Sequence, residues 1–306
     1  MIRQRTIQKT VKAMGVGVHR GEKVTMSLHP APTNHGIVFR RMDLDPVVEI
    51  PAQSKYVGDV ALSTSLNKDG AKVKTIEHLL SALSGLGIDN LIVDLDSEEV
   101  PIMDGSSSPF VFLINTAGVK EQNEPKRFFR VKKTVEVRVD DKYLRVSPYE
   151  GFKVDLKIDF DHPLFHDKNQ EIALDFSVCS YSKEIARART FGFVADYEKI
   201  RQSSLAKGAS MSNTVVMDDF SVMNEGGMRY FNEPLKHKAL DLVGDLYLLG
   251  YNCLAYVCGY KTGHALNTQL LAALLADEDA FEIVTFESEM QASSLGFLFP
   301  SQQVAV

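Results

Sequence analysis

Residues 75–95, TIEHLLSALSGLGIDNLIVDL, are the stretch that decides the fold. Apolar residues recur there with a helical period, at positions 76, 79, 80, 83 and 86, and the apolar run 90–95 that follows is typical of a strand. We therefore predict a helix over 75–86 that starts with Thr75 as its N-cap, stops at Gly87 and leads directly into a strand.

Residues 236–256, KHKALDLVGDLYLLGYNCLAY, repeat this order of elements. In both stretches a histidine near the start of an apolar helix is followed by a Leu-Gly turn and then by a strand. A duplicated α+β unit would explain this repeated order of elements. Amphipathic helices often look alike, however, and the match is short, so the pattern alone leaves duplication open.

Strand and helix signals continue on both sides of a polar segment, residues 118–127, which we interpret as a linker. Before it, a short helix is predicted from Pro109, and strands are predicted at 6–13, 23–29, 35–41 and 47–50. After it, strands are predicted at 130–139, 143–146, 153–160, 171–176, 252–260, 281–286 and 296–299, and helices at 180–188, 197–201, 234–249 and 265–276.

Composition and charge narrow the function classes. The 306 residues are 44% hydrophobic and 24% charged with a formal net charge of −6, so the chain has ample material for a core and is a poor candidate for binding nucleic acid. No apolar stretch approaches the roughly 20 residues that span a bilayer, and no signal peptide is evident, so we expect a cytoplasmic protein. Three cysteines fit a reducing compartment, and Cys253 and Cys258, on opposite faces of a predicted strand, are expected in the core.

The two predicted helices carry the residue types of a metal site. His237 and Asp241 lie one helical turn apart on one face. Glu77 and His78 diverge by about 100° on theirs, so His78 is a candidate metal ligand while Glu77 reaches the attacking water. Each pair also has a plainer interpretation: a solvated helix face for the first, and a carboxylate favoured by the helix dipole beside a core histidine for the second.

A third histidine, His264, follows Gly263 where a predicted strand gives way to a helix. Side chains at sheet ends often belong to sites, although a histidine there can simply stabilise the turn. Asp245, one turn after Asp241, is a carboxylate that would hold His264 protonated and oriented.

Together these signals predict metal-assisted hydrolysis. A catalytic zinc ion keeps three protein ligands and one position for water, and His78, His237 and Asp241 supply two nitrogens and one oxygen. The same donor set serves ferrous iron, so we expect Zn²⁺ with Fe²⁺ as the alternative. Glu77 as base and His264 as a cation suit hydrolysis of a stable amide.

At these residues the sequence resembles the UDP-3-O-acyl-N-acetylglucosamine deacetylase family, enzymes of the committed step of lipid A synthesis in Gram-negative bacteria. The resemblance rests on motifs in matching order over almost the whole chain, at residues 15–19, 75–79, 101–106, 188–193, 237–245 and 261–267. It implies an α+β fold of two duplicated domains, residues 1–126 and 127–306, each a sheet packed on helices, with the active site at the domain interface.

The resemblance also implies roles for individual residues. The metal ligands would be His78, His237 and Asp241, and the catalytic residues Glu77, His264, Thr190 and Asp245, of which Thr190 would stabilise the tetrahedral oxygen. The substrate-binding residues would be Lys238, Phe191, Lys142, Phe160 and Asp159. Of these, Lys142, Asp159 and Phe160 would lie near the nucleotide or sugar, unless they are only a surface lysine and a strand end.

The implied substrate is an amphipathic UDP-sugar whose 3-O-acyl chain threads an apolar passage formed by residues 191–215. The small residues of 203–211 would leave room for an alkyl chain, but the same composition fits a flexible loop. Ser63 replaces a cysteine of some members that binds a second, inhibitory metal ion, so we expect weaker inhibition by excess zinc. We expect a monomer that contacts a membrane surface at most transiently. The alternatives are another zinc amidase for N-acyl amino sugars and a non-catalytic binding module.

Overall fold

The computed structural model describes residues 1–165, 170–176 and 179–287, and these residues form the α+β fold that the sequence predicts. The helices of the described residues are α1 (Glu77–Gly85), α2 (Ser108–Ala117), α3 (Tyr181–Glu184), α4 (Val194–Gln202), α5 (Glu233–Leu246) and α6 (His264–Ala276). Their strands are β1 (Arg3–Ile7), β2 (Val11–Val16), β3 (Lys23–Pro30), β4 (Ile37–Arg41), β5 (Val48–Pro51), β6 (Ser65–Lys68), β7 (Ala71–Lys74), β8 (Leu91–Leu95), β9 (Val119–Pro125), β10 (Phe128–Val131), β11 (Val135–Val139), β12 (Lys142–Ser147), β13 (Phe152–Lys157), β14 (Glu171–Asp175), β15 (Phe191–Phe193), β16 (Val215–Met217), β17 (Asn252–Tyr260) and β18 (Phe281–Val284).

The first large sheet has the strand order β2-β3-β8-β4-β5. Its pairs are antiparallel except for the central β4 and β8, which are parallel. Along β8 buried and half-buried residues alternate, because one face of the strand lies on the core and the other is partly open to solvent.

The second large sheet is built around β17, whose residues are nearly all buried. On one side β17 pairs with β12, which is followed by β11. On the other side β10 pairs with its first half and β13 with its second half, and β18 and β14 flank these two strands. Helix α6 packs on β11 and β12.

Helices α1 and α5 pack against each other and join the two sheets into one continuous hydrophobic core. All nine residues of α1 are buried, as expected for a helix that contacts other elements on every side. Glycines allow α1 to be packed closely, by α5 on one side and by Tyr181 on another. A β-carbon on Gly244 of α5 would lie 2.1 Å from the backbone oxygen of Glu77, and one on Gly85 of α1 would lie 2.3 Å from the ring of Tyr181.

The start of α1 differs from the sequence-based prediction. Thr75 does not cap the helix, because it has a φ of +57° and its hydroxyl donates to the buried Glu99 at 3.0 Å. The helix begins at Glu77 with Ile76 as its N-cap residue. At the other end Gly87 has a φ of +64°, the left-handed conformation that commonly terminates helices, as predicted.

The linker predicted at 118–127 is largely a strand. Residues 119–125 form β9, which pairs antiparallel with β1. Its polar composition reflects exposure in a two-stranded ribbon, and pairing with β1 overrides the weak strand signal. The helix predicted at 180–188 shrinks to the single turn α3, and the strand predicted at 296–299 lies outside the described residues. In the part of the chain that is described, none of the helices is both long and apolar enough to cross a bilayer.

Candidate active site

Three side chains from two helices converge at the contact between α1 and α5. His78 lies in the first turn of α1, and His237 and Asp241 lie one turn apart on α5. The Asp241 Oδ1 atom is 3.5 Å from His78 Nε2 and 3.4 Å from His237 Nε2. One ligand atom from each residue falls within 4.8 Å of the other two, so the three can hold a single metal ion.

Hydrogen bonding prepares His237 to bind a cation. Its Nδ1 atom lies 2.9 Å from the carbonyl oxygen of Ala188. A carbonyl only accepts, so Nδ1 carries the proton and Nε2 presents its lone pair toward Asp241. Asp241 Oδ1 is buried and has no hydrogen-bond partner among the described residues, which is unusual for a buried charged oxygen and is explained by a cation ligand.

The electrostatics of the cluster agree with this arrangement. Burial lowers the pKa of His237 to about 4, so this imidazole is neutral near pH 7. Burial opposes ionisation of Asp241, but the nearby His237 and His78 hold its pKa well below the usual range. Burial likewise opposes protonation of His78, whereas Asp241 raises its pKa, so a cation entering the site displaces a proton from His78.

Glu77, the first residue of α1, is buried beside this cluster. Its Oε2 atom accepts a hydrogen bond from the backbone N–H of Thr64 at 3.1 Å, and its Oε1 atom lies 3.9 Å from His264 Nε2. Burial is the main reason that the pKa of Glu77 rises to about 7. A carboxylate with this pKa can both take and return a proton near neutral pH.

His264, the first residue of α6, is held by Asp245. Its Nδ1 atom donates to Asp245 Oδ2 at 2.8 Å, and Asp245 also accepts from the Thr64 hydroxyl at 2.6 Å and the Asn267 amide at 2.8 Å. Burial opposes protonation of His264, but the charge of Asp245 outweighs it and raises the pKa of His264 to about 10. The imidazole is therefore a cation at neutral pH.

Thr190 and Phe191 follow the carbonyl of Ala188 that contacts His237. Thr190 is half-buried, its backbone N–H donates to Gly105 O at 2.8 Å, and its hydroxyl has no hydrogen-bond partner among the described residues. The Phe191 ring lies edge-on to His237 with centroids 6.3 Å apart. It also contacts the ring of Phe160 at 5.7 Å, which places Phe160 one aromatic ring further from the cluster.

The remaining predicted residues are not part of the cluster itself. Lys238 Nζ donates to the carbonyl of Thr262 at 2.9 Å, and burial lowers the pKa of Lys238. Lys142 is exposed at the start of β12 and is close enough to Lys238 for the two positive charges to repel. Asp159 forms an ion pair with Lys261 at 3.0 Å, so its carboxylate already has a cationic partner.

Two contributors to the site have no sequence signature that would have revealed them. The backbone and hydroxyl of Thr64 connect Glu77 with Asp245, and the carbonyl of Ala188 orients His237. Thr64 lies in a loop without periodicity, and any residue type could supply the Ala188 carbonyl.

A buried ion pair fixes the segment that carries Ala188 and Thr190 to the start of α5. Glu233 Oε1 accepts from the Arg189 backbone N–H at 2.9 Å and from its Nε at 2.8 Å, and Glu233 Oε2 accepts from the Arg229 backbone at 2.6 Å. Glu233 is fully buried and lies one helical turn before His237. The ion pair therefore holds the start of α5, next to this candidate ligand, against the segment of Ala188.

Comparison with known proteins gives a consistent result. The family model described as UDP-3-O-acyl N-acetylglycosamine deacetylase (LpxC) matches residues 4–276. A UDP-3-O-acyl-N-acetylglucosamine deacetylase of Coxiella burnetii (strain RSA 493 / Nine Mile phase I) is 57% identical over 287 residues, which cover 94% of this chain and 95% of the relative. Proteins of the same name from Thioalkalivibrio sulfidiphilus and Stenotrophomonas maltophilia are each 54% identical, over 98% of this chain and 99% of the relative.

Proposed function

The chain belongs to the UDP-3-O-acyl-N-acetylglucosamine deacetylase family, and from this premise we propose that the cluster around His78, His237 and Asp241 is its metal-dependent active site. The protein is an enzyme that removes the N-acetyl group from UDP-3-O-acyl-N-acetylglucosamine, a step of lipid A biosynthesis. The observation that carries the proposal is the convergence of two imidazole nitrogens and one carboxylate oxygen within 4.8 Å.

The donor set fits a zinc ion. Two imidazole nitrogens and one carboxylate oxygen leave a further position open, as in catalytic zinc sites. The buried Asp241 Oδ1, which has no hydrogen-bond partner in the described part of the chain, supports a cation there. Ferrous iron is the alternative because it accepts the same donors. When bound, such an ion polarises a carbonyl group and lowers the pKa of water to about 7.

The protein groups around the ligands are arranged for amide hydrolysis. Glu77 takes a proton from the attacking water while the water oxygen bonds to the acetamide carbon. We assign the Thr190 hydroxyl, which has no hydrogen-bond partner among the described residues, to donate to the oxygen of the tetrahedral species. The C–N bond then breaks, acetate leaves, and the sugar nitrogen receives a proton from Glu77 or from the His264 imidazolium. Asp245 keeps that imidazolium charged.

Substrate contacts extend away from this centre. Lys238 and Lys142 supply positive charge for the diphosphate, and Phe160 and Phe191 supply apolar surface near the sugar and nucleotide. The acyl chain runs along residues 191–215, where Phe191 and Val215 join a small apolar cluster separate from the main core. We place the domain boundary near residue 126, because the strands of one large sheet precede it and those of the other follow it. We also propose that the protein is a monomer in the cytoplasm.

Metal depletion tests the central claim. Treatment with a chelator should abolish deacetylation of UDP-3-O-acyl-N-acetylglucosamine, and zinc should restore it; anaerobic addition of Fe²⁺ to the same depleted enzyme tests the alternative ion. Asp241→Asn should bind less than stoichiometric metal and lose turnover, because it removes the only anionic ligand. Asp69→Asn is the matched control, since Asp69 lies in an exposed turn. Undiminished turnover after chelation, or full metal content in Asp241→Asn, would refute the site.

A further inference from the structure

A cavity lies away from the active site, at the opposite ends of the two helices that carry His78, His237 and Asp241. It has a volume of about 390 Å³, and its walls include Asp89, which follows α1, and Tyr247–Leu249, which follow α5. Eleven residues separate His237 from Leu248, which corresponds to roughly 16 Å along a helix. This cavity is therefore distinct from the cluster around Asp241.

Two lysine or arginine side chains, Lys55 and Arg127, line the cavity, and Asp89 is the one carboxylate among the lining residues. Asp89 is already neutralised, because Lys126 Nζ lies 2.5 Å from one carboxylate oxygen and the backbone N–H of Arg5 donates to the other at 2.8 Å. On a chain with a net charge of −6, this wall is a local concentration of positive charge.

The two long cations are not engaged elsewhere in the described structure. Arg127 is exposed and has no hydrogen bond or ion pair with any described residue. Lys55 has no carboxylate partner in the described part of the chain, and its Nζ lies 4.9 Å from the centre of the Tyr56 ring. Both can therefore turn toward a ligand without breaking an existing ion pair.

Neutral amide side chains and two glycines also line the cavity. The Gln53 side chain forms no cap for the turn that it precedes, and the Asn34 amide uses its oxygen, not its nitrogen, in the bond from Gln4. Gly36 and Gly250 have φ values of +73° and +86°, and a β-carbon on either would meet no atom within 4 Å. The backbone at both glycines therefore borders free space.

Apolar side chains also line the cavity: Ile37, Leu249, the ring of Tyr251 and the partly exposed Leu275. A cavity of this size, lined by apolar side chains and a few polar groups, is typical of a small-molecule site. We propose that it binds a small organic anion, a phosphate or carboxylate group carried on a compact apolar or aromatic body.

Phenyl phosphate is a suitable probe, with phenol and inorganic phosphate as its two separated halves. His35–Gly36 is the only His-Gly pair in the chain, so ¹³C-carbonyl histidine with ¹⁵N-glycine marks the Gly36 amide alone. Thr262–Gly263 is likewise the only Thr-Gly pair, and a second sample labelled in threonine and glycine marks the active site next to His264. Both samples use the whole 306-residue chain loaded with zinc.

Phenyl phosphate should shift the Gly36 signal with saturation and should bind at least about tenfold more tightly than phenol or inorganic phosphate. Arg127→Gln and Lys55→Gln should each weaken binding at least about tenfold, as expected when one charge-assisted hydrogen bond is lost. Lys12→Gln is the control, because Lys12 is an exposed lysine on β2 outside the cavity. An unchanged Gly263 signal in each variant shows that the fold is intact.

Two outcomes would overturn the proposal. One is a shift of Gly263 without a shift of Gly36, which would place the probe in the active site only. The other is equal affinity in Arg127→Gln, Lys55→Gln and Lys12→Gln, which would mean that the basic wall does not recognise the anion. Neither outcome bears on the metal site, which the chelation experiment tests separately.

Discussion

Replacing Asp245 by Asn should move the basic limb of the pH–rate profile. The two side chains have nearly the same shape, so the change mainly removes the charge that faces His264 at 2.8 Å. That charge outweighs burial and raises the pKa of His264 from 6.5 to about 10. A raised pKa means that the imidazolium is present below pH 10 and is lost above it. Without the carboxylate, burial is unopposed by Asp245, and the pKa of His264 should fall to about 6.5 or lower.

The size of the effect follows from that shift. At about pH 8.5 nearly all His264 is protonated in the parent enzyme. With a pKa of about 6.5 only about 1% is, so kcat/KM should fall about 100-fold at this pH and much less near pH 6. The acidic limb of the profile reports the pKa of Glu77, which is about 7. The Asp245→Asn substitution should change this pKa much less than that of His264.

The assay is kcat/KM for deacetylation from pH 5.5 to 10.5, with the metal content of each sample measured in parallel. Asp155→Asn is a control, because Asp155 is a hydrogen-bonded carboxylate on β13 whose partner is Tyr256. An unchanged basic limb in Asp245→Asn would refute the link between Asp245 and His264. A uniform loss at every pH together with loss of metal would refute it as well, since Asp245 would then support the ligands instead.

Three further changes have expected outcomes that urea unfolding or turnover can check. Gly244→Ala would place a β-carbon 2.1 Å from the Glu77 carbonyl oxygen, so it should cost about 1–3 kcal/mol of stability, whereas Gly226→Ala, which meets no atom within 4 Å, should cost little. Glu233→Gln leaves a buried guanidinium without its counter-charge and should cost about 3–5 kcal/mol; a cost below about 1 kcal/mol would contradict a buried ion pair. Ser63→Cys should make turnover more sensitive to excess zinc, because a thiolate is a better zinc ligand than a hydroxyl; an unchanged inhibition curve would count against that position.

The helices and strands could largely be predicted because burial is periodic along this chain. The apolar period of α1 and the run of β17 each reflect which side of the element lies in the core. Contacts between residues distant in the sequence could not be predicted in this way. Residues 119–125 are polar enough for a linker and become a strand only because β1 lies beside them. Thr75 looks like an N-cap locally, but a hydrogen bond to Glu99, 24 residues away, fixes it instead.

The site could be predicted in part for the same reason. Helical spacing alone indicates that His237 and Asp241 share a face. That His78 meets them depends on the contact between α1 and α5, for which spacing gives no information. The need of a catalytic zinc ion for a third ligand suggested His78, and the family resemblance supported it. Thr64 and Ala188 act largely through backbone atoms or from an irregular loop, so no pattern of residue types marks them.

Helix packing and the pKa of the catalytic base are two consequences of one contact. Gly244 lacks a side chain, so the backbone of α5 rests on the carbonyl of Glu77 and covers this residue. Burial raises the pKa of the Glu77 carboxyl, while its position at the positive end of the α1 dipole and the hydrogen bond from Thr64 favour the ionised form. Burial is the larger effect and the positive charges of His264 and His78 oppose it, so the pKa of Glu77 is about 7. Any substitution that separates α1 from α5 should therefore lower the pKa of Glu77 toward that of an exposed carboxylate, in addition to displacing Asp241 from His78.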